Sequence, residues 1–181
     1  MDDSKSTNRL VLFEEVSLNV VQNLIASIRE MKLRGVVDAT LEINSVGGSL
    51  VSALNLYDNL VGSGIRWTGI VIGECLSSAA VVLQGCEKRE ALPNASFFIH
   101  VSRRKFVINE LRTDIPLQVY QDRLAKAYEG SKEIEDRSNK ILRSRLKSER
   151  LSFDKFFTEE QHFSSLIALE MGLIDEIVTT V

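Results

Sequence analysis

Apolar positions along this chain change period several times, and each change marks an element. Arg9 to Phe13 is a short run of strand composition. Ser17 then precedes Val20, Val21, Leu24, Ile25, Ile28 and Met31, whose spacing puts them on one face of a helix that the Ser17 hydroxyl caps. Gly35 is a stop, and Val37 to Ile43 returns to strand composition. Beyond Gly47-Gly48, the residues Leu50, Ala53, Leu54, Tyr57, Leu60 and Val61 resume the helical spacing until Gly62 and Gly64. Ile65 to Ile72 predicts the next strand, and Ser77 to Gln84 the next helix. Strands alternating with helices require crossover connections, so the pattern predicts an α/β fold on a mostly parallel sheet.

The stretch from Leu117 to Lys147 differs from the rest. It has no proline and one glycine, with apolar residues at 117, 120, 124, 127, 134 and 141. A single helix of that length would run about 45 Å. Its apolar stripe is narrow and its other faces are charged, so it is either a surface helix lying on its own domain or an element that meets another chain. Ser165 to Met171 predicts a short helix stopped by Gly172, and Ile174 to Val178 a closing strand. No repeat, linker or boundary interrupts the 181 residues, a length that suits one domain with a real core.

Composition narrows the classes. Hydrophobic residues make up 44% and charged ones 26%, the balance of a soluble globular domain. A formal net charge of -3 argues against nucleic acid as the main partner, since phosphate-binding domains are usually basic. Cys75 and Cys86 make no disulfide framework and suit a reducing compartment. The polar start, Met1 to Ser6, is not a signal peptide, and no apolar run reaches the ~18–20 residues of a membrane span. The expectation is a cytoplasmic protein with no membrane partner. There is no GxxxxGK[ST] phosphate loop and no metal-ligand cluster, so any ATP dependence would come from another protein and no cofactor is expected.

The candidate chemistry lies in three stretches. Ser77 follows a predicted strand and a turn at Gly73, which puts its hydroxyl at the start of the next helix, where unsatisfied backbone N–H groups favour developing negative charge. Ala79 and Ala80 let that turn pack closely. A helix-capping serine is the plainer reading, and Ser78 would cap as well. His100 ends the apolar run Phe97-Phe98-Ile99, at the strand end where parallel sheets place their sites. Imidazole is the side chain suited to serve a serine as base near neutral pH. His162, the other histidine, lies in a charged segment. Gly48 permits the backbone geometry of an oxyanion donor, or simply turns a strand into a helix.

Taken in order, Glu42-Ile43-Asn44-Ser45-Val46-Gly47-Gly48-Ser49, Gly73-Glu74-Cys75-Leu76-Ser77-Ser78-Ala79-Ala80 and Leu92 to His100 strongly resemble the proteolytic subunit of the Clp protease, in the ClpP/crotonase superfamily. The resemblance runs from about Val11 to Val178. It implies an α/β, ClpP/crotonase-like fold of repeated β-β-α and βαβ units, one domain over 1–181, with a long protruding handle helix at about 117–147. It implies a serine endopeptidase working inside an oligomeric ring chamber on peptide or unfolded protein. Ser77 would be the nucleophile and His100 its base, with the N–H groups of Gly48 and Ser78 as the oxyanion hole. The family's third residue, an Asp before the last helix, falls on Glu160 when counted back without gaps from Gly172-Leu173-Ile174-Asp175. Asp154 fits the local pattern better but needs an insertion after it.

The resemblance also implies a homo-oligomer of stacked seven-membered rings. Departures from the pattern are Val46 in place of a proline, Ser78 and Ala79 in place of methionine and glycine, and Val101-Ser102-Arg103-Arg104-Lys105 in place of a Gln-Pro and glycine-rich strand. The basic trio is a solvated edge or favours acidic peptides. The short segment before the first strand argues against docking a Clp-type ATPase. Two other readings share the fold: a crotonase-like acyl-CoA enzyme, and a structural ring subunit with impaired catalysis. The side chain of Cys75, two residues before Ser77, is expected to face the core rather than to act as a nucleophile.

Overall fold

The computed structural model describes residues 8–100, 112, 114–146, 160 and 162–180. Seven strands form one sheet: β1 (Arg9–Leu12), β2 (Asp38–Ser45), β3 (Arg66–Leu76), β4 (Lys88–Ala91), β5 (Ser96–Phe98), β6 (His162–Ser164) and β7 (Glu176–Ile177). The helices are α1 (Leu18–Leu33), α2 (Leu50–Gly62), α3 (Ser78–Leu83), α4 (Leu117–Arg145) and α5 (Ser165–Met171). The strand order is β1-β2-β3-β4-β7, all parallel, with β5 also parallel to β3 and β6 antiparallel to β5. This is the mixed α/β architecture on a parallel sheet that the alternation predicts.

Local chemistry sets most boundaries where the pattern puts them. Ser17 caps α1 by accepting the Val20 N–H at 3.3 Å, and Val21, Leu24, Ile25, Ile28 and Met31 are its buried face. Gly172 ends α5 in the left-handed conformation, φ 85°, which glycine adopts without strain. Leu12, Leu41, Ile43, Leu56, Trp67 and Phe97 are fully buried and hold sheet and helices together. The Trp67 indole N–H is satisfied by the Ser63 hydroxyl at 3.0 Å, so the largest core side chain buries no unpaired donor. No helix among the described residues is long and apolar enough to cross a membrane.

One irregularity positions everything that follows. Ile43 of β2 is opposite Val71 of β3, yet Ser45 is opposite Cys75, so β3 carries extra residues between them. Asn44 fills the gap, accepting the Glu74 N–H at 2.9 Å, and Gly73 lies so close that a β-carbon there would be 2.5 Å from Asn44 Oδ1. Bulges bend a strand and re-aim its side chains. Here the bend divides one edge of β3 between two partners. Thr68 to Val71 pair with β4, and Glu74 to Leu76 pair with β5.

The strand pattern understates three places. β3 runs to Leu76, four residues past the expected end at Ile72, because the bulge and the β5 pairing lie beyond it. β4 is missed because its sequence, Lys-Arg-Glu-Ala, is charged; Arg89 is nonetheless 2% exposed. Its guanidinium donates to Asp175 Oδ1 and Oδ2 at 2.6 and 2.9 Å, to Gln84 Oε1 at 2.6 Å and to the Gly172 carbonyl at 2.9 Å. β6 is missed because its three residues pair with β5 with one buried side chain, Phe163, which stacks on Phe97 with centroids 5.8 Å apart.

Candidate active site

The sheet delivers a serine and a histidine to the same point. Leu76 ends β3 opposite Phe98, the last residue of β5, so the two chains leave the sheet side by side. The Ser77 N–H extends the ladder by donating to the Phe98 carbonyl at 2.6 Å. Ser77 then turns sharply, with φ 54° and ψ -122°, and α3 begins at Ser78. A residue bearing a β-carbon costs about 1–3 kcal/mol there and persists only where its surroundings hold it. The hydroxyl makes no capping bond to α3. It points instead to His100, with Oγ 2.8 Å from Nε2, both residues half-buried. A serine lifted clear of a strand-to-helix turn and bonded to an imidazole is the arrangement nucleophilic hydrolases use.

The histidine is held from one side by stacking. Phe98 lies 5.2 Å from the His100 ring and 4.8 Å from the His162 ring, centroid to centroid. His162 is exposed and has its Nδ1 3.3 Å from the Ser96 hydroxyl. It supports the stack and does not reach Ser77.

The Gly47-Gly48 turn closes the other side. Ser45 pins it by donating to the Glu14 carbonyl at 2.6 Å while accepting the Gly47 N–H at 3.2 Å. Val16 pairs with the turn through Val16 N to Gly47 O and Ser49 N to Val16 O, both 2.8 Å. Gly47 has φ 84°; a β-carbon there would collide with the Leu76 carbonyl and approach Ser77 Cβ to 2.9 Å. Glycine is therefore required for the turn to lie against the serine. Gly48, φ 144°, would drive a β-carbon into the Val16 carbonyl at 2.8 Å. Among the described residues, neither Gly48 nor Ser78 donates its N–H to a backbone hydrogen bond outside the helices and strands, and both line the same cleft as Ser77.

These elements line a cleft of about 90 Å³, with Ser77, His100, Gly48 and Ser78 among its lining residues. The second half of α4 adds Ser138, Asn139 and Leu142 to its wall. The apolar pattern reads this helix for its stripe and misses that wall. The signal was the polar pair Ser138-Asn139 set between Ile134 and Ile141. α4 ends at Arg145, which donates to the Gln84 and Cys86 carbonyls at 3.3 Å and ties the helix to the end of α3.

No carboxylate is paired with the imidazole among the described residues, where Ser77 is its hydrogen-bond partner. Glu160 is half-buried at a positive φ of 50°, and no hydrogen bond joins it to His100. Asp154 lies outside the described residues, as do Arg103, Arg104 and Lys105. Cys75 is fully buried beneath the serine turn, and burial raises its thiol pKa well above the ordinary value, so it stays protonated packing in the core. No three His, Cys, Asp or Glu side chains among the described residues converge as a metal site would require.

Comparison with known proteins places this geometry in context. A family model described as Clp protease matches residues 5–181. Two relatives from Tropheryma whipplei, the ATP-dependent Clp protease proteolytic subunit 1 of strain Twist and subunit 2 of strain TW08/27, are each 30% identical over 145 residues. The aligned region covers 79% of this chain and 66% of each relative.

Proposed function

Because the chain belongs to the Clp protease family, we propose that it is a serine peptidase in which Ser77 attacks the scissile carbonyl and His100 takes its proton. The observation that carries this reading is the 2.8 Å contact between Ser77 Oγ and His100 Nε2 on a strained turn. In the first step Oγ bonds to the carbonyl carbon and its proton passes to Nε2. The negative oxygen is held by the N–H groups of Gly48 and Ser78. Collapse expels the amine, which carries off the proton from Nε2, and leaves an acyl-serine. Water then attacks with Nε2 again as base, releasing the acid and restoring Ser77. A carboxylate behind the imidazole would orient it and stabilise its cation, a role we assign to Glu160.

The substrate class is peptide or unfolded protein, and the working form is a homo-oligomer of ring type in which α4 contacts other subunits. The relatives are named as ATP-dependent. This sequence has no GxxxxGK[ST] loop, so that dependence would be supplied by a separate ATPase.

Labelling with a fluorophosphonate tests the nucleophile. The parent should become modified at Ser77 and should hydrolyse peptides. Ser77→Ala should do neither while keeping its circular dichroism. A parent that stays unlabelled, or a folded Ser77→Ala that still hydrolyses peptide, overturns the reading.

A further inference from the structure

Alternate side chains of β2 face the core, and Ala39, Leu41 and Ile43 fill that face. Ser45 comes next in the row and is as deeply buried, at 2% exposed, yet it carries a hydroxyl where the alternation calls for an apolar side chain. A hydroxyl taken out of water is destabilising unless it is bonded. Ser45 Oγ both donates, to the Glu14 carbonyl at 2.6 Å, and accepts, from the Gly47 N–H at 3.2 Å. Ser45 does not line the cleft that holds Ser77, so it meets no substrate there. What its hydroxyl does instead is join two pieces of backbone.

Glu14 begins a strap, Glu14-Glu15-Val16, that packs on the glycine turn. Val16 is fully buried, forms an isolated parallel bridge with Gly48 and holds Gly47 O and Ser49 N by 2.8 Å bonds. A β-carbon on Gly48 would meet Glu15 Cγ at 2.7 Å, so the strap lies directly against the Gly48 backbone. The same turn touches the nucleophile, since a β-carbon on Gly47 would come within 2.9 Å of Ser77 Cβ. From this linkage we propose that Ser45 is a positioning residue for hydrolysis: acting through Gly47, it sets where the Gly48 N–H stands relative to Ser77. The inference rests on Gly48 as an oxyanion donor in the function proposed above. Such donors act over about 2.7–3.1 Å, and removing one lowers the rate by about 10²–10³. A turn displaced by a fraction of an ångström forfeits part of that factor. The loss belongs to kcat, because the oxyanion exists only on the way to the acyl-serine.

Ser45→Ala removes both bonds and adds no bulk. Its kcat, per serine titrated to completion with a fluorophosphonate, should fall by about 10–100-fold, while KM changes by less than about twofold. A peptide aldehyde, whose hemiacetal oxygen enters the same hole, should lose affinity by the factor lost from kcat/KM. Titration counts only folded sites, so partial unfolding of the variant does not mask the outcome. A serine that merely satisfies the core would lower the urea midpoint and leave kcat per titrated site at the parental value. That result, or a raised KM with unchanged kcat, overturns the proposal. Hydrogen exchange reads the linkage without catalysis. In Ser45→Ala the Gly47 amide should exchange at least about fivefold faster, while Leu41 to Ile43 keep their parental protection. Unchanged exchange at Gly47 overturns the linkage on its own account. A parent that fluorophosphonate leaves unlabelled is the separate signature of a wrong nucleophile, and the exchange measurement then decides what Ser45 holds.

Discussion

At Ser77 backbone strain and chemistry coincide. The conformation that turns Oγ toward His100 is one that glycine takes freely and that a β-carbon resists. Ser77→Gly should therefore abolish hydrolysis yet unfold at higher urea than Ser77→Ala, by about 1 kcal/mol. Equal urea midpoints would mean that the turn is not strained. The orienting carboxylate is tested at the same scale. Glu160→Gln keeps the shape and removes the charge, and its rate should fall by up to about 10⁴, as when a protease triad loses its aspartate. Asp154→Asn should change the rate little. Reversed outcomes in peptide hydrolysis would assign the role to Asp154 instead.

Elements, more than single residues, decide how the site comes together, and here sequence and structure part in instructive ways. The helices were legible because caps and apolar faces are local: Ser17, Gly172 and the α1 stripe act within a few residues of themselves. Ser77, His100 and Gly48 were legible as candidates because their flanking turns and strands are local as well. The bulge in β3 was not legible, because it exists only through Asn44 of another strand, and without it β5 would not reach Leu76. β4 was hidden for a similar reason. Arg89 reads as a surface residue until Asp175, far along the chain, surrounds it together with Gln84 and Gly172. Asp175→Ala should strand that guanidinium in the interior and lower stability by about 3 kcal/mol. The double variant Arg89→Met with Asp175→Leu should recover much of the loss. Urea unfolding of the single and double variants measures both, and a silent Asp175→Ala would make the clasp incidental.

Across the whole molecule the buried thiols set a pH limit. Burial pushes Cys86 up to about 12, against the lowering effect of Arg145 and Arg89, and drives Cys75 further up. Both remain protonated in the folded chain, whereas the unfolded chain begins to release those protons near the ordinary thiol pKa of about 8.5. The unfolded state then binds fewer protons, so stability falls as pH rises. The contribution is complete below about pH 8.5 and is lost as pH climbs toward the folded value for Cys86. Urea unfolding at pH 7, 9 and 10 should show this decline, and a Cys75→Ala, Cys86→Ala double variant should show less of it.

The outer surface of α4 gives the last expectation at this scale. Its 29 residues extend about 43 Å at 1.5 Å per residue. Leu117, Leu124 and Tyr128 lie 68%, 51% and 68% exposed, while Ser138 and Leu142 in its second half are buried. One half of the helix thus serves the cleft and the other presents large apolar side chains outward. Apolar surface in contact with water favours association, at about 25 cal/mol per Å² removed. Burial of these residues against a second copy fits the ring assembly proposed above. The parent should sediment as an oligomer. Leu124→Asp with Tyr128→Asp would put carboxylates, four residues apart on one helical face, into that contact, where each would be desolvated without a partner. Sedimentation velocity should then show smaller particles with unchanged circular dichroism. A parent that already runs as a monomer at micromolar concentration would remove the need for any partner on this face.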